Sequence, residues 1–307
     1  MSYAYLGPVG TFTWVALGHV EAAQGTDWLA VNNVVEALGA VTRGDVVAAM
    51  IAVENSVEGG VSAAQDALSS SDGLQILGEY LVPVNFDVVA REGSALADVR
   101  IIEAHPVAYA QCRTWLEKNI PHHEHLPATS NVAAARGLDE SDRAHAAIAP
   151  HGYASHADLH VLGDNVGDNP NAVTRFVLIG RRQPVAAPTG TDKTTLIVEL
   201  PDDRPGGLLD MLEQFATRGV NLSLLESRPI GDELGRYRFV IDLDGHIEDE
   251  RVADALLGLK RFSPRVQFLG SYRRADGHAP TVHDHNSDAA FVAARTWLAR
   301  LIAGEEV

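Results

Sequence analysis

The sequence is poor in cysteine, in long apolar runs and in positive charge, and each shortage excludes something. Cys112 is the one cysteine among 307 residues, so no intramolecular disulfide can form and a reducing compartment is expected. No apolar stretch approaches the roughly 20 residues needed to span a bilayer, and residues 1–10 lack the basic start and apolar core of a secretory signal. Membrane insertion and export are therefore not expected, and a cytoplasmic protein is. The formal net charge of −17 opposes nucleic acid and anionic membranes as partners. A small anionic ligand stays open, because helix N-termini, backbone amides and one or two arginines can hold it locally.

What is present is the composition of a folded protein, with 46% hydrophobic and 21% charged residues. At roughly 100 to 200 residues per domain, the length fits two or three domains. From Tyr3 to Gly180 short apolar runs alternate with helical patterns, which predicts an α/β region with mostly parallel strands. Strands are expected over Tyr3–Leu6, Val47–Val53, Val99–Ala104, Ala144–Ala149 and Arg175–Ile179, and helices over Val34–Arg43, Pro106–Lys118 and Asn131–Leu138. The β-rich run Gln75–Ala90 contains Pro83, which suits an edge, a bend or a crossover between lobes. With a return near Val161–Gly180, residues 1–180 would form two lobes, the second over about 77–160, with a ligand cleft between them.

Residues 181–192 hold Pro184 and Pro188 but no apolar period, and read as a linker. Residues 193–273 then give strand Lys193–Leu200, helix Gly207–Arg218, strand Val220–Ile230, strand Arg236–Leu243, helix Glu248–Lys260 and strand Arg265–Tyr272. That is a ferredoxin-like βαββαβ order. The tail, 274–307, is polar and expected to be disordered as far as Ser287, with an amphipathic helix at Ala289–Ile302.

Four segments carry candidate chemistry. Gly7-Pro8-Val9-Gly10-Thr11-Phe12-Thr13 follows a strand and opens a helix, so the amides around Gly10 and Thr11 suit an anion, or the segment is a plain βα turn. Asn55 and Ser56, at the C-terminal end of a predicted strand, either offer donors to a ligand or cap a helix before Gly59-Gly60. Thr174-Arg175-Phe176 sets a hydroxyl donor, a carboxylate-gripping guanidinium and an aromatic ring side by side, or is a β-forming run with its arginine in solvent. Thr129-Ser130-Asn131 before an alanine-rich run reads as a helix cap that also creates an anion site.

The order of these segments along the chain resembles prephenate dehydratases. The domain after them resembles an ACT domain in Pro205-Gly-Gly-Leu-Leu209 and in Gly219-Val-Asn-Leu-Ser-Leu-Leu-Glu-Ser-Arg-Pro229. The resemblance covers about residues 3–273. It implies a bilobal catalytic region of the type II periplasmic-binding-protein fold, active between its lobes without metal or organic cofactor, converting prephenate to phenylpyruvate with loss of CO2 and water. It also implies phenylalanine as effector at ACT interfaces, and hence a homodimer or homotetramer. Gly206, Gly207, Leu208, Leu209, Asn221, Leu222, Glu226 and Ser227 match the effector motifs, with Gly207 standing where the motif usually has alanine. A glutamine that some relatives carry about two turns after the Thr-Ser pair is absent from Ala135-Arg136-Gly137.

On this resemblance Thr174 donates to the leaving hydroxyl. Arg175 and the amides of Gly10 and Thr11 meet the carboxylates, Asn55, Ser56, Thr129 and Ser130 orient the substrate, and Phe176 excludes water. Arogenate is an alternative substrate, and a non-catalytic amino-acid sensor or solute-binding protein is the alternative from another class. His122, His123 and His125, like His278, His283 and His285, read as surface or tail histidines rather than as a metal site. Trp14 reads as core.

Overall fold

The computed structural model describes residues 1–57, 59–140, 142–231 and 235–305. It divides into two compact units, residues 1–64 with 80–176, and residues 65–79 with 177–307. The chain begins β1 (Ser2–Leu6), α1 (Phe12–Gly18), β2 (Asp27–Val31), α2 (Val34–Arg43), β3 (Ala48–Asn55), β4 (Gly59–Gly60), α3 (Ser62–Ser69) and β5 (Leu74–Pro83). It continues β6 (Phe86–Arg91), β7 (Ile101–Ala104), α4 (Pro106–Gln111), α5 (Arg113–Asn119), β8 (Glu124–Pro127), α6 (Asn131–Glu140), β9 (Ala146–Pro150), β10 (Leu159–Gly163) and β11 (Val173–Arg181). After them come β12 (Asp192–Glu199), α7 (Gly207–Ala216), β13 (Leu222–Pro229), β14 (Tyr237–Asp244), α8 (Glu250–Phe262), β15 (Arg265–Arg273) and α9 (Asp288–Ala303).

The first unit holds two sheets, and so two lobes. In one the order is β2-β1-β3-β11-β5, with β4 on β3; the parts of β11 and β5 within this unit are Val173–Phe176 and Tyr80–Pro83. The other has the order β10-β6-β9-β7-β8. β1 pairs in parallel with β2 and β3, and β7 with β8 and β9. The expectation of mostly parallel strands fails at β6, which is antiparallel to both β9 and β10. A crossover at Pro83 causes this, because it feeds β6 into the second sheet from the other end.

Local sequence explains the helices. α2 starts where Asn33 Oδ1 accepts from Glu36 N at 2.9 Å and Glu36 Oε2 accepts in return from Asn32 N at 2.8 Å. It ends where Gly44 takes φ +84°, a conformation that only glycine adopts at no cost. Between those signals Val34, Ala37, Leu38 and Val41 form the buried stripe. The single helix predicted over Pro106–Lys118 is instead two, because Cys112 leaves helical geometry at φ −113°, ψ 8°. Its side chain lies at 0% exposure in the core with Phe86, Ile102, Leu116 and Ile148, and burial pushes its thiol up to about 12.

The second unit contains the predicted βαββαβ order, with strand order β13-β14-β12-β15 and antiparallel pairing at all three junctions. Its core is Leu196, Met211, Phe215, Ile241, Val252 and Leu259, drawn from the sheet and from one face of each of α7 and α8. Residues 274–287 were expected to be disordered and instead follow a defined course. Arg274 pairs with Asp244 and with Asp276, Ala275 N donates to Glu79 Oε1 at 2.9 Å, and Asn286 is buried against Gly219. Polar composition misleads here because the partners of the segment are themselves charged groups of the domain. No helix among the described residues is long and apolar enough to cross a membrane.

Candidate active site

The site is best built outward from the junction of β3 and β11. Ser56 N donates to Val173 O at 2.9 Å, Asn55 Nδ2 to Thr174 Oγ1 at 2.8 Å, and Arg175 Nη1 to Glu54 Oε2 at 3.3 Å. The descending order on one strand against the ascending order on the other makes the pair antiparallel. Motifs 119 residues apart are thereby joined directly. Val57 N donates to Asn55 Oδ1 at 2.8 Å, which fixes the amide with its nitrogen toward Thr174. Thr174 Oγ1 therefore accepts from Asn55, and its own proton is directed elsewhere.

Strand alternation sends Thr174 and Arg175 to opposite faces. Both are buried, at 8% and 6% exposure. Phe176, at 2%, is a core residue rather than a wall of the site. Ser56 accepts from Val173 N at 2.9 Å and remains exposed, as do Val57 and Gly59; Glu58 lies outside the described residues.

A cleft of roughly 490 Å3 opens between the lobes, lined by Gly10, Phe12, Trp14 and Val15 on one side and by Val82, Pro83 and Asn85 at its hinge. Pro150, His151, Gly152, Tyr153 and Ser155 form the opposite wall. The hinge segment is bonded to the strand that carries Thr174, since Val84 N donates to Ala172 O at 2.8 Å. Phe12 crosses to the second lobe, meeting Phe86 edge to face at 5.7 Å. Gly10, at φ +93°, faces Tyr153 and Val132, which brings the first motif against the start of α6.

Around that start, Ser130 Oγ accepts from Ala133 N at 3.0 Å and acts as a cap, while Thr129 is exposed. Thr11 is likewise a cap: its hydroxyl donates to Leu6 O at 2.9 Å and accepts from Trp14 N at 3.3 Å. Trp14, expected in the core, is half-buried instead, stacked edge-on against Trp28 at 5.9 Å with its side chain in the cleft wall. Sequence reasoning also missed Asn85, Tyr153 and His151. His151 follows β9 directly, so the strand-end rule that singled out Asn55 applies to it equally.

The histidines near residue 123 have other partners. His123 binds Ile120 O and the Tyr109 hydroxyl, the latter at 2.8 Å, and His125 reaches Ala104 O at 3.0 Å while stacking on Tyr109.

Residues 3–184 match the family model for prephenate dehydratase. The chain belongs to the prephenate dehydratase family. Residues 194–261 match the ACT domain. A prephenate dehydratase of Amycolatopsis methanolica is 42% identical over 305 residues, covering 99% of this chain and 98% of the relative. Among solved structures, prephenate dehydratase in complex with L-Phe from Arthrobacter aurescens aligns at TM-score 0.94 and 48% identity, over 99% of this chain and 100% of that one. GqqA, described as a novel type of quorum-quenching acylase, aligns at TM-score 0.77 and 31% identity, over 89% of this chain and 98% of that one. The fold is thus that of the family, a periplasmic-binding-like α/β region followed by an ACT domain.

Within the ACT domain Gly206, at φ +86°, turns the chain into α7, where Gly207 is buried. A Cβ on Gly207 would meet Asp202 O, Arg204 Cγ and Leu200 Cδ1 at 3.7 to 3.9 Å, ordinary contact that leaves room for the family's alanine. Leu208 and Leu209 are exposed at 39% and 58%. Asn221 Nδ2 donates to Asp244 Oδ2 at 2.7 Å, Glu226 is bonded to Gln65, and Leu222 to Ser227 lie on β13, an edge strand.

Proposed function

We propose that this chain converts prephenate to phenylpyruvate with loss of CO2 and water in phenylalanine biosynthesis, and that phenylalanine at its ACT domain regulates turnover. The observation that carries the catalytic half is the Asn55–Thr174 hydrogen bond. Prephenate is a dianion whose ring becomes aromatic when carboxylate and hydroxyl leave together. Aromatisation drives the reaction, and the protein has to orient the ring, offset the carboxylate charge and stabilise the departing oxygen. With its lone pair bound by Asn55, the Thr174 hydroxyl has its proton free to donate to that oxygen. It acts as a positioned donor, not as an acid of matched pKa.

The amide of Gly10 is assigned to a carboxylate; the Thr11 amide already donates to Pro8 O at 3.3 Å, and Arg175 lies on the face of β11 opposite Thr174. Asn55, Ser56, Thr129 and Ser130 orient the substrate, and Phe176 acts from below by seating β11 in the core. No step needs a metal or an organic cofactor.

The regulatory half rests on the exposed Leu208 and Leu209 and on the position of β13 at the edge of its sheet among the described residues, which suit a second subunit closing over an amino acid. A homodimer or homotetramer in the cytoplasm follows, with phenylalanine shifting a conformational equilibrium by about 1–3 kcal/mol. The test is phenylpyruvate formation from prephenate and from arogenate, with and without phenylalanine. Thr174→Ala is expected to lower kcat about 100-fold and to change KM less than about threefold. Phenylalanine binding without turnover of either substrate would instead make the protein a sensor.

A further inference from the structure

α9 is marked at both ends. Ser287 Oγ accepts from Ala290 N at 3.3 Å, and Gly304, at φ +75°, closes the helix with its N–H directed at Arg300 O and Leu301 O. The first half is tied to α8, where Asp288 Oδ1 takes the Glu250 amide and Arg295 pairs with Glu250. Beyond Arg295 the side chains stand in solvent, for residues 296–305 are all exposed. Yet between Asp288 and Gly304 the only polar residues are Arg295, Thr296 and Arg300. A helix apolar on nearly all sides draws its stability from packing, and 16 residues in water gain little without it.

Trp297, Leu298, Leu301 and Ile302 are 45–79% exposed and together offer on the order of 500 Å2 of contiguous apolar surface, at the upper end of what monomers leave in water. The pattern of sizes says what covers it. At about 3.6 residues per turn, Ala290, Ala294, Trp297 and Leu301 form one stripe, on the side of the helix turned away from Asp288, Arg295 and hence α8. The stripe is small in its N-terminal half and large in its C-terminal half. Two copies laid antiparallel bring Leu301 of one over Ala290 of the other, and Trp297 over Ala294, because both pairs are centred on the same point between Arg295 and Thr296. A parallel pair would set tryptophan on tryptophan and alanine on alanine, crowding one half and leaving the other loose.

We propose that α9 is a contact through which two copies of this chain pair, antiparallel, about a twofold axis between Arg295 and Thr296. Covering the patch on both copies buries about 1,000 Å2, the area that a specific interface needs. The surface lies outside the four motifs and outside the ACT match at residues 194–261, so it stands whether or not the chain turns over prephenate.

The experiment uses the full-length chain. Light scattering over a dilution series compares the wild type with Trp297→Glu/Leu301→Glu. The variant should fall into units of half the mass already at a concentration about 100-fold above that at which the wild type does, because the pairing would bury unpaired carboxylates. Oxidation of Ala290→Cys/Leu301→Cys tests the direction. Its two thiols lie about 16 Å apart along one helix and cannot join within a chain. Cys112 is buried, with its thiol pushed up to about 12, so a disulfide-linked dimer on a non-reducing gel reports the antiparallel pair. Ala290→Cys alone, about 16 Å from its own copy in that pair, should stay unlinked. Should the glutamate variant fail to fold, the cysteine variants decide alone. A monomeric wild type, a glutamate variant that associates as the wild type does, or Ala290→Cys linking as readily as the double variant overturns the proposal. Phosphatidylcholine vesicles that carry down a monomeric wild type would give the helix a membrane instead, and overturn it equally.

Discussion

Gly10 shows how much one residue decides. Its φ of +93° is a conformation that side-chain-bearing residues rarely adopt, and an added Cβ would lie 3.0 Å from the Tyr153 ring. Gly10→Ala therefore combines backbone strain with crowding at the cleft. A loss of about 1–3 kcal/mol is expected, visible as a lower midpoint in thermal denaturation, together with a higher KM. The sequence pointed to Gly10 through a general rule about glycines before helices, but the reason for glycine here is Tyr153, more than 140 residues further along. Asn55 and Thr174 were legible because each belongs to a recognisable string. Asp87 and His151 were not, since a lone aspartate in an apolar strand and a histidine after a proline announce nothing until the fold makes them neighbours at 2.9 Å. For Ser130 the sequence left capping and ligand binding open, and for the Thr11 segment ligand binding and a plain βα turn; both hydroxyls are occupied as caps.

Elements were legible where their signals are local. α2 was predicted over the residues it occupies from its apolar spacing, and in the structure Asn33, Glu36 and Gly44 mark both its ends. β8 escaped because four residues with little burial carry no period, and it exists through its parallel pairing with β7. α8 depends on a distant residue in another way. Its N-cap Asp249 makes no side-chain cap bond; Glu250 N donates instead to Asp288 Oδ1 at 2.9 Å, and Arg295 pairs with Glu250. The first turn of α9 thus caps α8. Asp288→Ala should cost about 0.5–1 kcal/mol through the lost cap, seen as a small drop in the thermal midpoint. Asp284→Ala, which has no such bond to α8, is the control and should change little. The polar stretch before α9 could not have been read as ordered, because its anchors, Asp244, Glu79 and Gly219, lie elsewhere in the chain.

At the scale of the whole molecule, the two units carry opposite proton linkages. In the first, His151 has a folded pKa above its unfolded value near about 6.5. Its contribution to stability is complete below that value and is lost as pH rises through the higher folded one. In the second, the hydrogen bond from Arg228 lowers Asp66, and that from Arg274 holds Asp276 well below the usual carboxylate range. Their contributions are complete above the unfolded value near about 4 and are lost as pH falls through the lower folded values. Both carboxylates are partly exposed, so salt should weaken these acid-side effects. The expected outcome is a stability profile with separate limbs, read as thermal midpoint against pH at low and high salt. Asp276→Asn should flatten the decline below about pH 4 and leave the side above about pH 6.5 unchanged, and His151→Asn should do the reverse. If both variants flatten the same limb, then either the Asp87–His151 bond or the Arg274–Asp276 pair does not persist in solution.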